Sequence, residues 1–175
     1  MKYFLLEEDP RITYSPKLIS WHEKIDVRDI CQAGAHRLPA RELVLIQGSP
    51  DTIFTDFIST PFCLVSERLK KTLQMYVPNL ILKELVLLDQ TYERAERYFL
   101  PVFAEIECLG SESVFNLDHS ELKKIFLNRA SIEKNTIFRI AGVTKQYIVG
   151  NLDIVESILK RGCMGLQVTE LEMSE

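Results

Sequence analysis

The chain has 175 residues, of which 46% are hydrophobic and 26% charged, a balance that excludes intrinsic disorder and fits an ordinary globular protein. Its 21 Lys and Arg against 25 Asp and Glu give a net charge of −4. Basic residues alternate with acidic ones, as in Glu93-Arg94-Ala95-Glu96-Arg97, so the clustered positive charge that tracks phosphates is missing and no nucleic-acid partner is expected. No apolar run approaches the ~20 residues that span a bilayer, and Glu7-Glu8-Asp9-Pro10 cuts the first apolar stretch too short for a signal peptide. No membrane partner is expected, and the expected address is the cytoplasm.

Residues 2–6 read as a first strand, ended by the acidic turn and Pro10. Residues 10–40 are punctuated by Pro10, Pro16, Gly34 and Pro39, and within them Trp21 to Val27 fits a short helix or a strand. Arg41 to Ile46 reads as a strand stopped by Gly48-Ser49-Pro50-Asp51, and a short run from Asp56 to Ser59 leads to Pro61. Phe62 to Val65 is an extended, apolar lead into a helix capped by Ser66, whose hydroxyl can accept an orphan backbone N–H. Leu69, Leu73 and Tyr76 follow at helical spacing with Arg68, Lys70 and Lys71 opposite, until Pro78-Asn79 ends the helix. Leu80 to Leu88 reads as a largely buried strand and Thr91 to Arg97 as a charged connector. Tyr98 to Leu109 reads as one long extended segment, with Pro101 marking an edge or a bulge and Glu105 and Glu107 on one face.

Gly110 to Ser113 is a turn. Two readings compete for residues 114–135. Asp118-His119-Ser120-Glu121 has capping-box spacing ahead of Leu122, Ile125 and Phe126, whereas Lys123 to Asn128 fits a strand, which is preferred. Thr136 to Ile140 and Gln146 to Val149 form a hairpin turning at Gly142. Asn151 caps a second helix with Leu152, Val155, Ile158 and Leu159 as its apolar stripe, Lys160-Arg161 in its last turn and Gly162 as its stop. Leu166 to Leu171 alternates as a strand.

This last unit repeats an earlier one. Leu64-Val65-Ser66-Glu67-Arg68-Leu69 lies over Val149-Gly150-Asn151-Leu152-Asp153-Ile154, and, after a one-residue adjustment, Leu80-Ile81-Leu82-Lys83-Glu84-Leu85 lies over Leu166-Gln167-Val168-Thr169-Glu170-Leu171. Strand–helix–strand thus occurs twice, about 85 residues apart, the signature of one duplication rather than of a solenoid. The expected fold class is α+β: mainly antiparallel strands with at least two amphipathic helices, in a single domain over residues 1–175.

Catalytic chemistry is hard to place on this chain. His22, His36 and His119 are scattered, and only Cys31 and His36 lie near each other, which falls short of metal-ligand spacing. Cys63 and Cys108 sit in apolar runs and, like Cys31 and Cys163, read as free thiols. Asp118-His119-Ser120 holds the residue types of a hydrolase triad, but consecutive residues of one turn do not face each other as a triad requires. No Gly-x-Ser-x-Gly, phosphate loop, dinucleotide fingerprint or His-Glu-x-x-His occurs. No catalytic residue, metal or cofactor is expected.

Leu64 to Leu73, with Val65-Ser66-Glu67-Arg68-Leu69 at its centre, resembles the repeated V-S-E-R-L unit of a bacterial immunity-protein family, the polymorphic-toxin immunity protein family eleven, formerly a domain of unknown function. The similarity continues through Leu80 to Leu88, Tyr98 to Leu109, Ser111 to Ser113 and Ile137-Phe138-Arg139-Ile140, and ends at Gly165-Leu166-Gln167-Val168, covering residues 60–172. Residues 1–55 match only in general character, and in the second unit Gly150-Asn151-Leu152-Asp153 departs from the pattern. The resemblance implies an α+β, non-enzymatic protein that binds a cognate protein toxin and silences it by occupancy, without supplying catalytic residues. Against a nuclease toxin, Glu7, Glu8, Asp9, Glu105 and Glu107 are the candidate partner-binding residues, as carboxylates standing in for phosphates.

Overall fold

The computed structural model describes residues 1–174 and shows an α+β protein in which antiparallel pairing dominates. In chain order the first half contains β1 (Tyr3–Glu8), β2 (Leu18–Ile19), β3 (Arg41–Ile46), β4 (Phe57–Ile58), β5 (Leu64–Ser66), α1 (Glu67–Tyr76), β6 (Ile81–Asp89) and β7 (Arg94–Val102). The second half contains β8 (Glu105–Ile106), β9 (Val114–Phe115), β10 (Leu122–Lys124), β11 (Phe126–Asn128), α2 (Arg129–Ile132), β12 (Ile137–Ile140), β13 (Ile148–Asn151), α3 (Leu152–Lys160), β14 (Leu166–Glu170) and β15 (Glu172–Ser174).

Local chemistry sets the two long helices. The Ser66 hydroxyl accepts the Leu69 N–H at 3.2 Å, and the Asn151 carboxamide oxygen accepts the Ile154 N–H at 3.2 Å, each satisfying one orphan donor of the first turn. Each helix turns an apolar stripe inward, Leu69 and Leu73 from α1 and Ile154, Val155 and Ile158 from α3, all of them buried, whereas Leu159, expected in the second stripe, is half exposed and Ile154 takes its place. The stripes meet Leu6, Phe57, Val65, Phe99 and Ile148 in a shared central core. Burial of this kind contributes about 2 kcal/mol per large side chain before entropy is counted.

Two sheets flank that core. One runs β2-β3-β6-β7-β5-β4 and the other β14-β1-β13-β12-β8. Their registers correspond. In the first, Ser66 faces Tyr98, Val65 faces Phe99 and Glu84 faces Phe99; in the second, Asn151 faces Tyr3, Gly150 faces Phe4 and Glu170 faces Phe4. Parallel to β6, Leu43, Val44 and Leu45 lie beside Val86, Leu87 and Leu88. Parallel to β15, Phe126, Leu127 and Asn128 lie beside Glu172, Met173 and Ser174. The Ser66 N–H donates to the Asp56 carbonyl at 3.0 Å and the Asn151 N–H to the Thr136 carbonyl at 2.8 Å. Buried tyrosines match as well: the Tyr98 hydroxyl donates to the Thr55 carbonyl at 2.7 Å and the Tyr3 hydroxyl to the Ile132 carbonyl at 2.9 Å. Burial raises the pKa of both phenols, keeping them as donors. The place that β7 fills in the first unit is therefore filled in the second by β1, from the opposite end of the chain.

Each unit also closes over a core of its own. In the first, Val44, Ile58, Phe62, Leu85, Leu87 and Leu100 pack with Ile25, Ile30 and Leu38. In the second, Tyr3, Leu5, Cys108, Leu127, Phe138, Ile140 and Val149 pack together. The segment after β8 reaches β11 through a Leu109–Leu127 bridge, so pairing runs in a ring from β14 round to β15.

Several expectations are corrected. Residues 2–6 extend into β1 through Glu8, because Glu7 and Glu8 pair with Gln167 and Leu166. Trp21 to Asp26 is neither helix nor strand: residues 10–40 hold only β2 and two short 3-10 helices, Val27–Asp29 and Ala35–Arg37. The connector shrinks to a tight turn, since Arg94 to Arg97 already belong to β7 opposite Asp89 to Val86. The first half of β6 is partly exposed rather than largely buried. Tyr98 to Leu109 is not one strand; it breaks at Phe103-Ala104, where β7 leaves one sheet and β8 joins the other. Pro101 lies beyond the end of β5, so on that side β7 behaves as the expected edge. Lys123 to Asn128 is extended, as preferred, but is interrupted at Ile125, and the short helix begins only at Arg129.

The β6–β7 turn is fastened by Asp89, whose side chain is 1% exposed. It accepts from the Thr91 and Tyr92 N–H groups and from Arg94 Nη2 at 2.9 Å, while Arg94 also donates to the Ser49 carbonyl. A Cβ on Gly48 would stand 1.9 Å from this carboxylate, which explains glycine there. Burial pushes the Asp89 pKa up, but the Arg94 and backbone hydrogen bonds outweigh it and hold the carboxyl below its ordinary value. A depressed folded-state pKa stabilises above the unfolded-state value and loses that contribution as pH falls through the folded one. Asp89→Asn is expected to lower Tm at pH 7, with the gap to the wild type closing below about pH 4, as thermal unfolding across pH measures. Met1 and Lys2 line one cavity with Glu172 and Met173, so the start of the chain lies close to β15, its last described strand. A circular permutant that joins the two ends of the chain by a short Gly/Ser linker and opens it between Pro10 and Pro16 is expected to keep the native amide spectrum, whereas deletion of residues 1–8 is expected to abolish it.

Candidate functional site

The two units carry corresponding insertions. In the first, residues 20–40 lie between β2 and β3; in the second, residues 111–125 lie between the Cys108–Gly110 segment and β11. Both face a groove of about 660 Å3 lined by Trp21, Val27 and Arg28 from one insertion and Ser120 and Glu121 from the other. Ser59-Thr60-Pro61 and Thr144-Lys145-Gln146, the turns of the matching β4–β5 and β12–β13 hairpins, supply more of the wall, and Arg139 of β12 completes it. Beyond Trp21, Thr60 and Pro61 the groove continues into a pocket of about 340 Å3 that also includes Glu8, Lys17 and Leu18.

The groove is held by specific contacts. Trp21 stands edge-on to buried Phe62, with ring centroids 5.4 Å apart, and His22 stacks on it at 3.8 Å. The Gln146 carboxamide oxygen accepts the Cys63 N–H at 2.9 Å, and the Lys145 N–H donates to the Ser120 carbonyl. Arg139 joins the units: its Nη1 donates to the Ile30 carbonyl at 3.0 Å and lies 3.1 Å from a Glu105 carboxylate oxygen. Arg139 Nε is buried without an acceptor.

Beside the groove projects the β9–β10 hairpin, whose tip is Asn116-Leu117-Asp118-His119-Ser120. Leu117 at this tip is fully exposed and Val114 at its base is nearly half exposed. The tip is nevertheless well ordered by hydrogen bonds. Asn116 Nδ2 donates to Ser120 Oγ at 2.9 Å, the Ser120 hydroxyl donates to Asp118 at 2.6 Å, and the Glu121 N–H donates to Asn116 Oδ1 at 3.1 Å. His119 takes φ +56° and leans on Phe115, with ring centroids 4.8 Å apart. The Ser120 hydroxyl and then its N–H lower the Asp118 pKa, so the three triad-type residues form a turn in which serine donates to aspartate.

The five expected acidic residues are not gathered. Glu7 and Glu8 end β1 and Asp9 follows it, while Glu105 lies on β8 across β13 and β12, about 14 Å away by strand spacing. Asp9 is paired with Arg11 at 2.7 Å, whose side-chain hydrogen bond lowers its pKa. Glu105 is paired with Arg139, and Glu8 accepts from the Ser59 hydroxyl at 3.2 Å. Glu107 is exposed, but it lies past the end of β8 and does not continue a strand face with Glu105. None of the five lines the main groove, and only Glu8 lines its continuation. Sequence reasoning passed over Trp21, Leu117, Arg139 and Lys145; a lone leucine inside the polar run Asn116 to Ser120 was the available signal for the tip.

The four cysteines are free. Burial pushes the Cys63 thiol far up and the Cys108 and Cys163 thiols to about 11, which keeps them protonated. No group of three His, Cys, Asp or Glu side chains among the described residues is disposed to hold a metal ion, and no helix among them is long and apolar enough to cross a membrane. No family model and no curated protein matches the chain.

Arg139→Met is expected to destabilise the protein by about 1–3 kcal/mol, because the Ile30 carbonyl loses its donor and Glu105 its partner. Leu117→Ser is expected to change stability by less than about 0.5 kcal/mol. Urea denaturation of the two variants checks both values.

Proposed function

We propose that the chain is a bacterial immunity protein that binds a cognate protein toxin and neutralises it by stoichiometric occlusion, catalysing no reaction. The observation that carries this reading is Leu117, a fully exposed leucine on a hairpin tip already fixed by its own hydrogen bonds. A solvated leucine costs the free protein little, but one carried on a hydrogen-bonded turn beside a groove is a preorganised anchor, since its backbone is already placed and only side-chain rotamer freedom is lost on binding. The V-S-E-R-L resemblance of Leu64 to Leu73 supplies the kind of partner. In the structure that segment forms β5 and the start of α1, with Leu64, Val65 and Leu69 in the cores, so it builds the scaffold rather than the contact surface.

We take the two units as copies of one ancestral strand–helix–strand unit, a reading supported by their shared registers and caps. Corresponding loops then meet at the groove, which gives the partner a composite surface that neither unit offers alone.

The test is co-expression with the toxin encoded beside the gene. Growth rescue with a stable one-to-one complex is expected, and Leu117→Asp is expected to weaken that complex by about 2 kcal/mol, close to thirtyfold in Kd, while leaving the fold intact. Rescue without a complex would refute occlusion, and a complex with a different protein in place of the toxin would favour a non-catalytic scaffold module of another bacterial system.

A further inference from the structure

We propose that the groove over Trp21 and Pro61 receives an extended acidic segment of the protein partner, its carboxylate set between Arg139 and Lys145 and its apolar neighbours against Trp21 and Val27. This rests on the reading that the chain acts by binding another protein, and it names the chemistry of the segment bound.

Charge complementarity chooses the occupant. The molecule carries a net charge of −4, yet the main groove is lined by three cations, Arg28, Arg139 and Lys145, against the single acid Glu121. Arg28 is matched by Asp26 at 2.7 Å and Arg139 by Glu105 at 3.1 Å, leaving Lys145 with no carboxylate within ion-pair distance among the described residues. The Lys145 ammonium stands 5.3 Å over the Tyr147 ring, which directs it without neutralising it. Arg139 is the more telling group. Its side chain is 15% exposed, and its Nη1 alone serves both the Ile30 carbonyl and Glu105. Nε is buried and out of a ligand's reach, but Nη2 donates no hydrogen bond within the described residues and is not a buried unpartnered atom, so the guanidinium keeps a donor for an incoming carboxylate. Glu105 already offsets the Arg139 charge, so the unpaired positive charge of the groove is that of Lys145, and Arg139 contributes an open donor.

The remaining wall decides against a free inorganic anion. Trp21, Val27 and Pro61 are apolar, and the groove runs on past Trp21 into the pocket bordered by Leu18 and Pro16. An elongated channel with one cationic station and apolar walls on either side suits a peptide segment in which Asp or Glu lies between apolar residues. Glu8 and Lys17 in the continuation leave that end close to neutral, so the charge preference is confined to the Arg139 end.

The experiment titrates the full-length 15N-labelled chain with a short capped peptide in which Asp and Glu alternate with Leu and Phe, alongside its Asn and Gln counterpart. Shifts are expected at the Trp21 indole and the Thr144, Lys145 and Gln146 amides, with affinity falling as salt rises. Lys145→Glu and, as a second variant on the opposite wall, Val27→Asp are each expected to weaken binding about tenfold while leaving the remaining resonances in place. An equal response to the amide counterpart, or shifts that avoid these groups, overturns the proposal. With the cognate toxin, the same two variants are expected to lose affinity, and undiminished toxin binding by both overturns the groove as the docking site while leaving the immunity reading standing. A wild-type chain that binds the acidic peptide at the groove but leaves the toxin free supports the groove and removes the immunity reading.

Discussion

The insertion of β1 between β13 and β14 is the constraint on which the rest of this structure depends. Tyr3 to Leu6 pair with Asn151 to Ile148 on one side, and Phe4 to Glu8 pair with Glu170 to Leu166 on the other. A strand from the start of the chain is thereby an interior strand of a sheet built mostly from its second half. Both sets of its backbone groups find partners only in the folded state, and the loop closed is nearly the whole chain, so this sheet cannot form early from local contacts alone. Leu6 supplies the central core and Tyr3 and Leu5 the core of the second unit, so one strand couples two of the three apolar clusters.

That coupling also makes the groove. When β1 closes the second unit, its β12–β13 hairpin comes to rest opposite the β4–β5 hairpin of the first, and the two insertions face each other across the gap. Arg139 then reaches from β12 to the Ile30 carbonyl in the first insertion. Asp56 plays a similar part between the helices, accepting the Ser66 hydroxyl at the start of α1 and the Met164 N–H after α3 at 2.6 Å. Polar contacts of this sort, largely removed from water, cost more to break than they give when formed, and so they fix the relative placement of the units.

Parts of this arrangement were legible in the residues. Ser66 and Asn151 were readable as caps because capping is a local bargain between one side chain and the next turn. The one-residue adjustment that aligns Leu80 to Leu85 with Leu166 to Leu171 is the same offset that sets Glu84 opposite Phe99 and Glu170 opposite Phe4. The groove was not legible. Trp21, Arg139 and Lys145 are distant in sequence and carry no mutual spacing, and the acidic residues Asp9 and Glu105, which look free in the sequence, are neutralised by Arg11 and Arg139.

By itself the sequence determined the α+β class, both long helices with their caps, the Gly142 hairpin and the strands at Arg41 to Ile46 and Leu166 to Glu170, because each depends on periodicity, capping or turn chemistry within a few residues. Only the tertiary structure decided that β1 completes the second unit, that Tyr98 to Leu109 divides between two sheets, and which cations and carboxylates meet. Strand pairing and ion pairing are choices among partners far apart in the chain, and they are settled by which apolar faces are buried together rather than by any local pattern.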